Sequence, residues 1–458
     1  MKLGIIVVID DSMPPRRFMQ TMCPPLGVLS LQAYLAERSP DVDLCWDYDP
    51  AKILARQPDI IGLSAVTENF IALQNLLPRL RAHTTAPLIL GGTHISLRPD
   101  LLPDEAALGV IGEGEETLRE LLLLFARYGT LAPKRLSRVA GIVFRHPRRG
   151  VQVTPPRAPV RPLDRIPFPH RRILDPPDCI HLLTSRGCPY RCAFCSSPAL
   201  WTSFRQYSAD AVIAELIRLK ADLDPPLIKF MDDLFVADRR RVRQIAAGLS
   251  DRGISFRQGY SAFARPNLLD EDLVGRLRRM GVVRLSLGIE SGAQSILDRL
   301  DKRSSVALNQ KALDLCARHG IRTCCSFVIG VPGETAAELT ATLQFIERNR
   351  GSIHEIEICP LVPFPGTPLW DEALRQGRVH RNMDWSRLRD HSDFGQFEPE
   401  TYLYLNPAMP RETFTDFCLR FKDVYREISR IRTLAVSFPS PAPSDPSPAP
   451  PGPASLLR

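Results

Sequence analysis

The chain has 458 residues and a formal charge of +8, from 59 Lys and Arg against 51 Asp and Glu. With 44% hydrophobic and 24% charged residues it sits near the globular average, which excludes a wholly disordered or fibrous chain, and its length suits two or three domains. No apolar run approaches the roughly 20 residues that span a bilayer, and Met1–Ile9 runs into Asp10 and Asp11 with no cleavage site, so it reads as a first strand and a cytoplasmic protein is expected.

Residues 1–130 alternate short β-branched runs with helical periods. Strands are predicted over Leu3–Ile9, Val42–Trp46, Ile60–Ser64, Leu88–Leu90 and Leu108–Ile111, and helices over Leu26–Arg38, Phe70–Ala82 and Thr117–Tyr128. That order predicts an α/β fold, a doubly wound, Rossmann-like parallel sheet whose ligands bind at the carboxyl ends of the strands. Gly91-Gly92 directly follows a strand, where bare backbone lets a ligand approach.

Residues 131–178 break the rhythm with ten Pro and read as a linker with a hairpin over Gly141–Val153. Arg145, Arg148, Arg149, Arg157, Arg161, Arg171 and Arg172 cluster here. No aromatic residues are interleaved for base stacking, so this is a solvated linker and no nucleic-acid partner is expected.

Residues 179–375 resume the alternation, with strands predicted over Ile180–Leu183, Leu227–Met231, Ser255–Tyr260, Val283–Gly288, Thr323–Ile329 and Ile356–Leu361. Six βα units predict a partial TIM-type barrel with its chemistry at the strand ends. Residues 376–434 read as a helical extension. Residues 435–458 read as a disordered tail, because eight of the fifteen residues from Pro439 to Pro453 are Pro and nothing there can build a core.

Eleven Cys, an odd number without a secretory signal, argue for metal binding or free thiols over disulfides. Cys188, Cys192 and Cys195 stand in one C-x3-C-x2-C loop directly after a predicted strand. Three thiolates can hold three corners of a [4Fe–4S] cube and leave the fourth iron open to chelate a small molecule. Zinc is the alternative; it would want a fourth ligand, and the nearest His, His181, lies before the loop. The remaining Cys show no paired spacing and read as small core residues.

The C-x3-C-x-Φ-C loop, with Phe194 as its aromatic position, resembles the signature of the radical S-adenosylmethionine (SAM) superfamily. Further stretches resemble that family in order: Lys229-Phe-Met-Asp232-Asp233, Leu287-Gly288-Ile-Glu290-Ser291-Gly292, Phe327-Val-Ile-Gly330-Val-Pro332-Gly333 and Pro363-Phe-Pro365-Gly366. The resemblance spans about 180–370 and implies Cys188, Cys192 and Cys195 as catalytic cluster ligands. It implies SAM contacts at Phe194, Asp232, Asp233, Arg265, Gly288, Glu290, Gly330, Pro332 and Gly333.

Residues 24–118 resemble the cobalamin-binding domain that precedes the barrel in one branch of that superfamily. The stretches that carry this are Pro24-Pro25-Leu26-Gly27, Pro58-Asp59-Ile-Ile-Gly62-Leu-Ser64, Gly91-Gly92-Thr93-His94 and Gly112-Glu113-Gly114-Glu115. The implied cobalamin contacts are Leu26, Gly27, Ser64, Gly91, Gly92, His94 and Glu113. The cobalt-ligating D-x-H-x-x-G motif is absent, because the corresponding loop reads Ile9-Asp10-Asp11-Ser12-Met13. His94 is expected to line the pocket without ligating metal.

The resemblance implies reductive cleavage of SAM to a 5′-deoxyadenosyl radical, for cobalamin-dependent methylation of an unactivated carbon. The implied partners are a small-molecule or lipid-like substrate and a flavodoxin- or ferredoxin-type electron donor. Radical cyclisation, rearrangement or oxidation is the second reading, and a non-catalytic cobalamin-binding sensor or scaffold the third.

Overall fold

The computed structural model describes residues 1–9, 24–169, 179–389 and 393–434. The Asp10–Met13 loop, Arg171, Arg172 and the Pro-rich tail lie outside them.

The amino-terminal sheet is built from β1 (Lys2–Val7), β2 (Asp43–Asp47), β3 (Ile60–Ser64), β4 (Leu88–Gly91) and β5 (Leu108–Val110), with β6 (Ile142–His146) and β7 (Gly150–Val153) at one edge. Its spatial order is β2-β1-β3-β4-β5-β6-β7. The first five strands are parallel; β6 pairs antiparallel with β5, and β7 with β6. The hairpin is therefore not linker but the last two strands of this sheet. Ile142, Val143 and Phe144 are all buried, and a run apolar on both faces belongs inside a layered sheet rather than on a surface connection.

The second sheet runs β8 (Cys179–Leu182), then, after a two-stranded ribbon of β9 (Ser185–Arg186) and β10 (Arg205–Gln206), β11 (Leu227–Phe230), β12 (Tyr260–Ala264), β13 (Val282–Glu290), β14 (Arg322–Ile329) and β15 (Glu355–Pro360). The six large strands are parallel and neighbour one another in chain order, an open half-barrel. Crossover helices open on side-chain caps at Ser208, Asp238, Asp270, Ser305 and Thr335, each oxygen accepting from an otherwise unpaired first-turn N–H. The third barrel strand begins at Tyr260, where the predicted one ended. Phe256 is buried edge-on against the Tyr260 ring, so its apolar side chain serves the core without joining a ladder.

The carboxy-terminal residues return to the barrel, and the helix Arg411–Leu434 packs beside β15. Tyr402 donates to the Leu361 carbonyl at 2.5 Å, and Asn406 accepts from Gly333 N at 2.9 Å. Among the described residues no helix is long and apolar enough to cross a membrane.

Candidate functional site

The carboxyl ends of the amino-terminal strands face the start of the half-barrel across a cavity of about 340 Å³. One wall comes from Leu26, Gly27, Ser64, Gly91, Gly92 and Glu113, six of the seven residues read from the sequence as cobalamin contacts. The opposite wall comes from Ser185, Arg186 and Gly187, which lead into Cys188, and from Trp201 and Asp233. Gly92 sits at φ +103°, and a Cβ there would lie 2.1 Å from the Ala65 carbonyl oxygen, so only glycine can turn the chain out of β4.

His94 is the exception and corrects the expectation that it lines this space. It is 1% exposed and absent from the cavity wall. Its ring stacks on Phe70 at 3.8 Å and meets Trp385 edge-on at 4.8 Å, while Nδ1 lies 3.2 Å from Thr67 Oγ1. Burial, with the nearby Arg98 charge, lowers its pKa to about 3, so it is a neutral core residue. The helical turn Thr93–Leu97 carries the ring inward, away from the strand ends.

The cysteine loop brings Cys188, Cys192 and Cys195 into electrostatic contact with one another. Burial pushes the Cys188 thiol up and the Cys195 thiol to about 11. Arg265 is the cation of the loop: its Nη1 donates to Cys192 Sγ at 3.1 Å, and its guanidinium lies 3.7 Å from the centre of the Tyr190 ring. It also donates to the Lys302 carbonyl. Three cysteines on one short loop, with a guanidinium on one of them, suit three corners of a cubane cluster.

The two adjacent aspartates separate in role. Asp232 is fully buried and accepts from Thr184 N at 2.5 Å, Thr184 Oγ1 at 2.5 Å and Ser185 N at 2.9 Å, with Arg241 Nη2 3.7 Å away. Its oxygens are committed to fixing the start of the cysteine loop, so the expectation that it contacts SAM is corrected. Asp233 faces the cavity, accepts from Ser197 Oγ, and is raised by burial above the usual carboxylate range.

Glu290 and Gly288 also differ from expectation. Glu290 accepts from Lys302 Nζ at 2.5 Å in a buried pair, with φ at +64°, in the left-handed region that a non-glycine rarely adopts. A Cβ on Gly288 would come within 2.6 Å of both Glu290 Oε1 and Lys302 Nζ. Gly288 thus makes room for that ion pair. Lys302 in turn stands 5.9 Å from the centre of the Phe194 ring. Gly330 faces Tyr402 and Phe414, and neither it, Pro332 nor Gly333 reaches the cavity, because the carboxy-terminal extension covers that turn.

A buried ionic network absent from the sequence reading joins the two walls. Arg186 Nη1 lies 3.2 Å from Glu113 Oε2, and its Nη2 2.5 Å from Glu115 Oε1. Arg205, Arg186's partner across the β9–β10 ribbon, also pairs with Glu113. Ser30 Oγ donates to Glu115 Oε1 at 2.7 Å. Glu115 opens the helix Glu115–Tyr128, two residues before the predicted start at Thr117, where its charge also meets the positive helix end. The available signal was the pair of arginines flanking the cysteine loop, Arg186 and Arg205, matched by the two glutamates of the Gly112–Glu115 stretch.

Family models match the chain in tandem: a B12 binding domain over residues 19–122 and the radical SAM superfamily over residues 182–346. The chain belongs to the radical SAM superfamily and carries an amino-terminal B12-binding domain. An uncharacterized methyltransferase of Pyrococcus horikoshii is 27% identical over 435 residues, 90% of this chain and 92% of that protein. The anaerobic magnesium-protoporphyrin IX monomethyl ester cyclase of Rubrivivax gelatinosus is 28% identical over 313 residues, 66% of this chain but only 56% of the cyclase. The radical S-adenosylmethionine methyltransferase TsrM of Kitasatospora setae, solved with cobalamin and a [4Fe–4S] cluster, shares the fold at a TM-score of 0.68 and 20% identity, over 83% of this chain and 76% of TsrM. In this radical SAM enzyme the cavity lies where its two matched domains meet.

Proposed function

We propose that this radical SAM enzyme methylates an unactivated carbon of a small molecule, using a [4Fe–4S] cluster and cobalamin, in the cytosol and with a flavodoxin- or ferredoxin-type electron donor. The observation that carries this reading is the shared cavity: its walls are the strand ends of the B12-binding domain and the residues leading into Cys188. When bound, the cluster supplies the electron that cleaves SAM reductively, and cobalamin supplies a carrier for the methyl group.

The chain's own part is binding and orientation. Cys188, Cys192 and Cys195 hold the cluster, and Arg265 offsets thiolate charge through its hydrogen bond to Cys192. Asp233, not Asp232, is the carboxylate placed to meet the ammonium of SAM, while Asp232 fixes the loop backbone through Thr184 and Ser185. Leu26, Gly27, Ser64, Gly91 and Gly92 line the cobalamin side, and the Arg186 network holds the two walls in register and keeps bulk water from that seam. Phe194 backs the loop against Lys302 and Glu290.

The test is anaerobic incubation of reconstituted holoenzyme with SAM and reductant. 5′-Deoxyadenosine is expected, and protein made with cobalamin supplied should retain it; absence of 5′-deoxyadenosine would leave only a scaffold. The likeness to the anaerobic cyclase favours a second reading, radical ring closure. Methyl transfer must also yield S-adenosylhomocysteine, from SAM spent as methyl donor, whereas ring closure yields none.

A further inference from the structure

The inner face of the half-barrel is polar where a packed barrel would be apolar. On β11, Ile228 and Phe230 are fully buried in the core shared with the outer helices, so the alternate residue Lys229 faces inward. Lys229 is in register with His181 on β8 and with Ser261 on β12, and Ser261 with Arg284 on β13. A ring of four polar side chains thus crosses four neighbouring strands, one residue below the strand ends that lead to the cysteine loop and to Asp232.

Within that ring the charges are not equally free. Arg284 is spent: it holds Glu355 through two hydrogen bonds of 3.0 Å and reaches Ser261 and Ser286 at 3.2 and 3.1 Å. Lys229 is different. Among the described residues it has no ion pair or hydrogen bond, and its ammonium only stands 5.9 Å from the centre of the Phe263 ring, also on the inner face. It is half-buried, so it has given up part of its hydration without a carboxylate in return. Farther round, the wall ends in a small polar cavity of about 130 Å³ between Cys324, Glu355 and Glu357 and the side chains of Tyr425 and Ser429 from the carboxy-terminal helix.

We propose that the lumen of the half-barrel binds a polar substrate bearing a carboxylate or phosphoryl group, with Lys229 as the residue that anchors that anion. The inference rests on the reading of the chain as a radical SAM enzyme and adds the class of molecule it acts on, displacing the lipid-like alternative. An apolar polycycle would leave Lys229 and its polar neighbours desolvated against hydrocarbon. An anion on Lys229 instead completes the wall and hangs the rest of the molecule toward the strand ends, under the cysteine loop.

The experiment uses the anaerobic holoenzyme with saturating SAM, so that the SAM carboxylate is already accommodated. Inorganic phosphate and acetate are titrated calorimetrically into the wild type, Lys229→Met and Lys229→Arg. One saturable site is expected in the wild type, weakened about tenfold or more in Lys229→Met and largely restored in Lys229→Arg, as suits one charge-assisted hydrogen bond. Tighter phosphate than acetate points to a phosphoryl group, and the reverse to a carboxylate. Equal binding by all three proteins, or none by the wild type, overturns the proposal. 5′-Deoxyadenosine from the wild type in the same preparation reports separately on the radical reading, so failure of one is not mistaken for failure of the other.

Discussion

Arg186 Nη2 lies 2.5 Å from Glu115 Oε1, and this contact joins the cysteine loop of the barrel to the first turn of a helix in the B12-binding domain. Burial alone would raise the Glu115 carboxyl, but the Arg186 charge, with hydrogen bonds from Arg186 and Ser30, outweighs it and holds the group below its ordinary value. The pair is therefore ionised at neutral pH. Its stabilising effect is present above the unfolded carboxylate range and is lost as pH falls through the lower folded value.

Arg186→Met should cost about 3–5 kcal/mol, the usual penalty for stranding one charge of a buried pair. Glu115→Gln combined with it should cost less than the sum of the two single changes, because the stranded charge goes too. Denaturant unfolding of the four proteins measures this. Cobalamin retention should fall with Arg186→Met, since the pair closes the cavity wall.

Asp232→Asn and Asp233→Asn should fail differently. Asp232→Asn removes the buried charge beside Arg241 and puts an NH2 donor where Oδ2 accepts from Thr184 Oγ1, and should lower soluble yield and iron content together. Asp233→Asn keeps the fold and the iron but should weaken SAM binding by about tenfold or more, the scale of one lost charge-assisted contact. Iron analysis and SAM equilibrium dialysis distinguish them.

Gly91→Leu should block cobalamin while sparing the cluster. A Cβ at Gly91 meets only the Leu63 carbonyl, at 4.0 Å, and the added side chain projects into the cavity. Gly92→Val is the wrong probe, because its Cβ strikes the Ala65 backbone and the domain itself would misfold. His94→Phe should leave cobalamin in place, since that ring belongs to the aromatic core with Phe70 and Trp385.

Glu334 sets a pH dependence of the opposite sign to Glu115. Burial raises its carboxyl to about 8, although Gly330 N and Val331 N donate to one oxygen; the other has no partner among the described residues. The native chain thus keeps a proton that the unfolded chain releases from near the ordinary value of 4.5 upward. Stability contributed here is full below that value and declines as pH rises toward 8. Glu334→Gln should flatten this decline in chemical denaturation between pH 5 and pH 8.

Cluster loading should release protons, because buried thiols must ionise to ligate iron. Anaerobic reconstitution should therefore go further at pH 8.5 than at pH 7, with Cys188→Ala, Cys192→Ala and Cys195→Ala each abolishing it. Cys316, Cys324 and Cys418, whose thiols burial raises to about 12, should be replaceable by Ala without loss of iron.

The doubly wound sheet and the half-barrel were legible because strand and helix periods alternate cleanly, and the cysteine loop because its spacing is dictated by short-range chemistry. What was not legible depends on partners distant in sequence. Asp232 and Asp233 read alike until the fold turns one toward Thr184 and the other toward the cavity. His94 looked like a pocket residue until Trp385, nearly three hundred residues later, closed over it. The Gly330–Gly333 turn keeps a ligand-binding appearance that Tyr402 and Asn406 take up instead. The hairpin at residues 141–153 was legible, but the Pro and Arg around it hid that it completes the first sheet, which the pairing of Ile142, Val143 and Phe144 with β5 decides.

Leu369 N donates to the Ala193 carbonyl at 3.4 Å, inside the cysteine loop, and Trp370 and Trp385 flank the Arg98 guanidinium of the first domain at 5.5 and 5.3 Å. This has a consequence for the order of events on the ribosome. At 5–20 residues per second, the stretch from Ala193 to Leu369 takes on the order of 10–35 s to synthesise. For that interval the nascent loop has neither its neighbour at Leu369 nor the tryptophans that tie the halves together. The cysteine loop therefore reaches its full set of neighbours only once Leu369 has been made, and until then Cys188, Cys192 and Cys195 stand on a loop still open on that side.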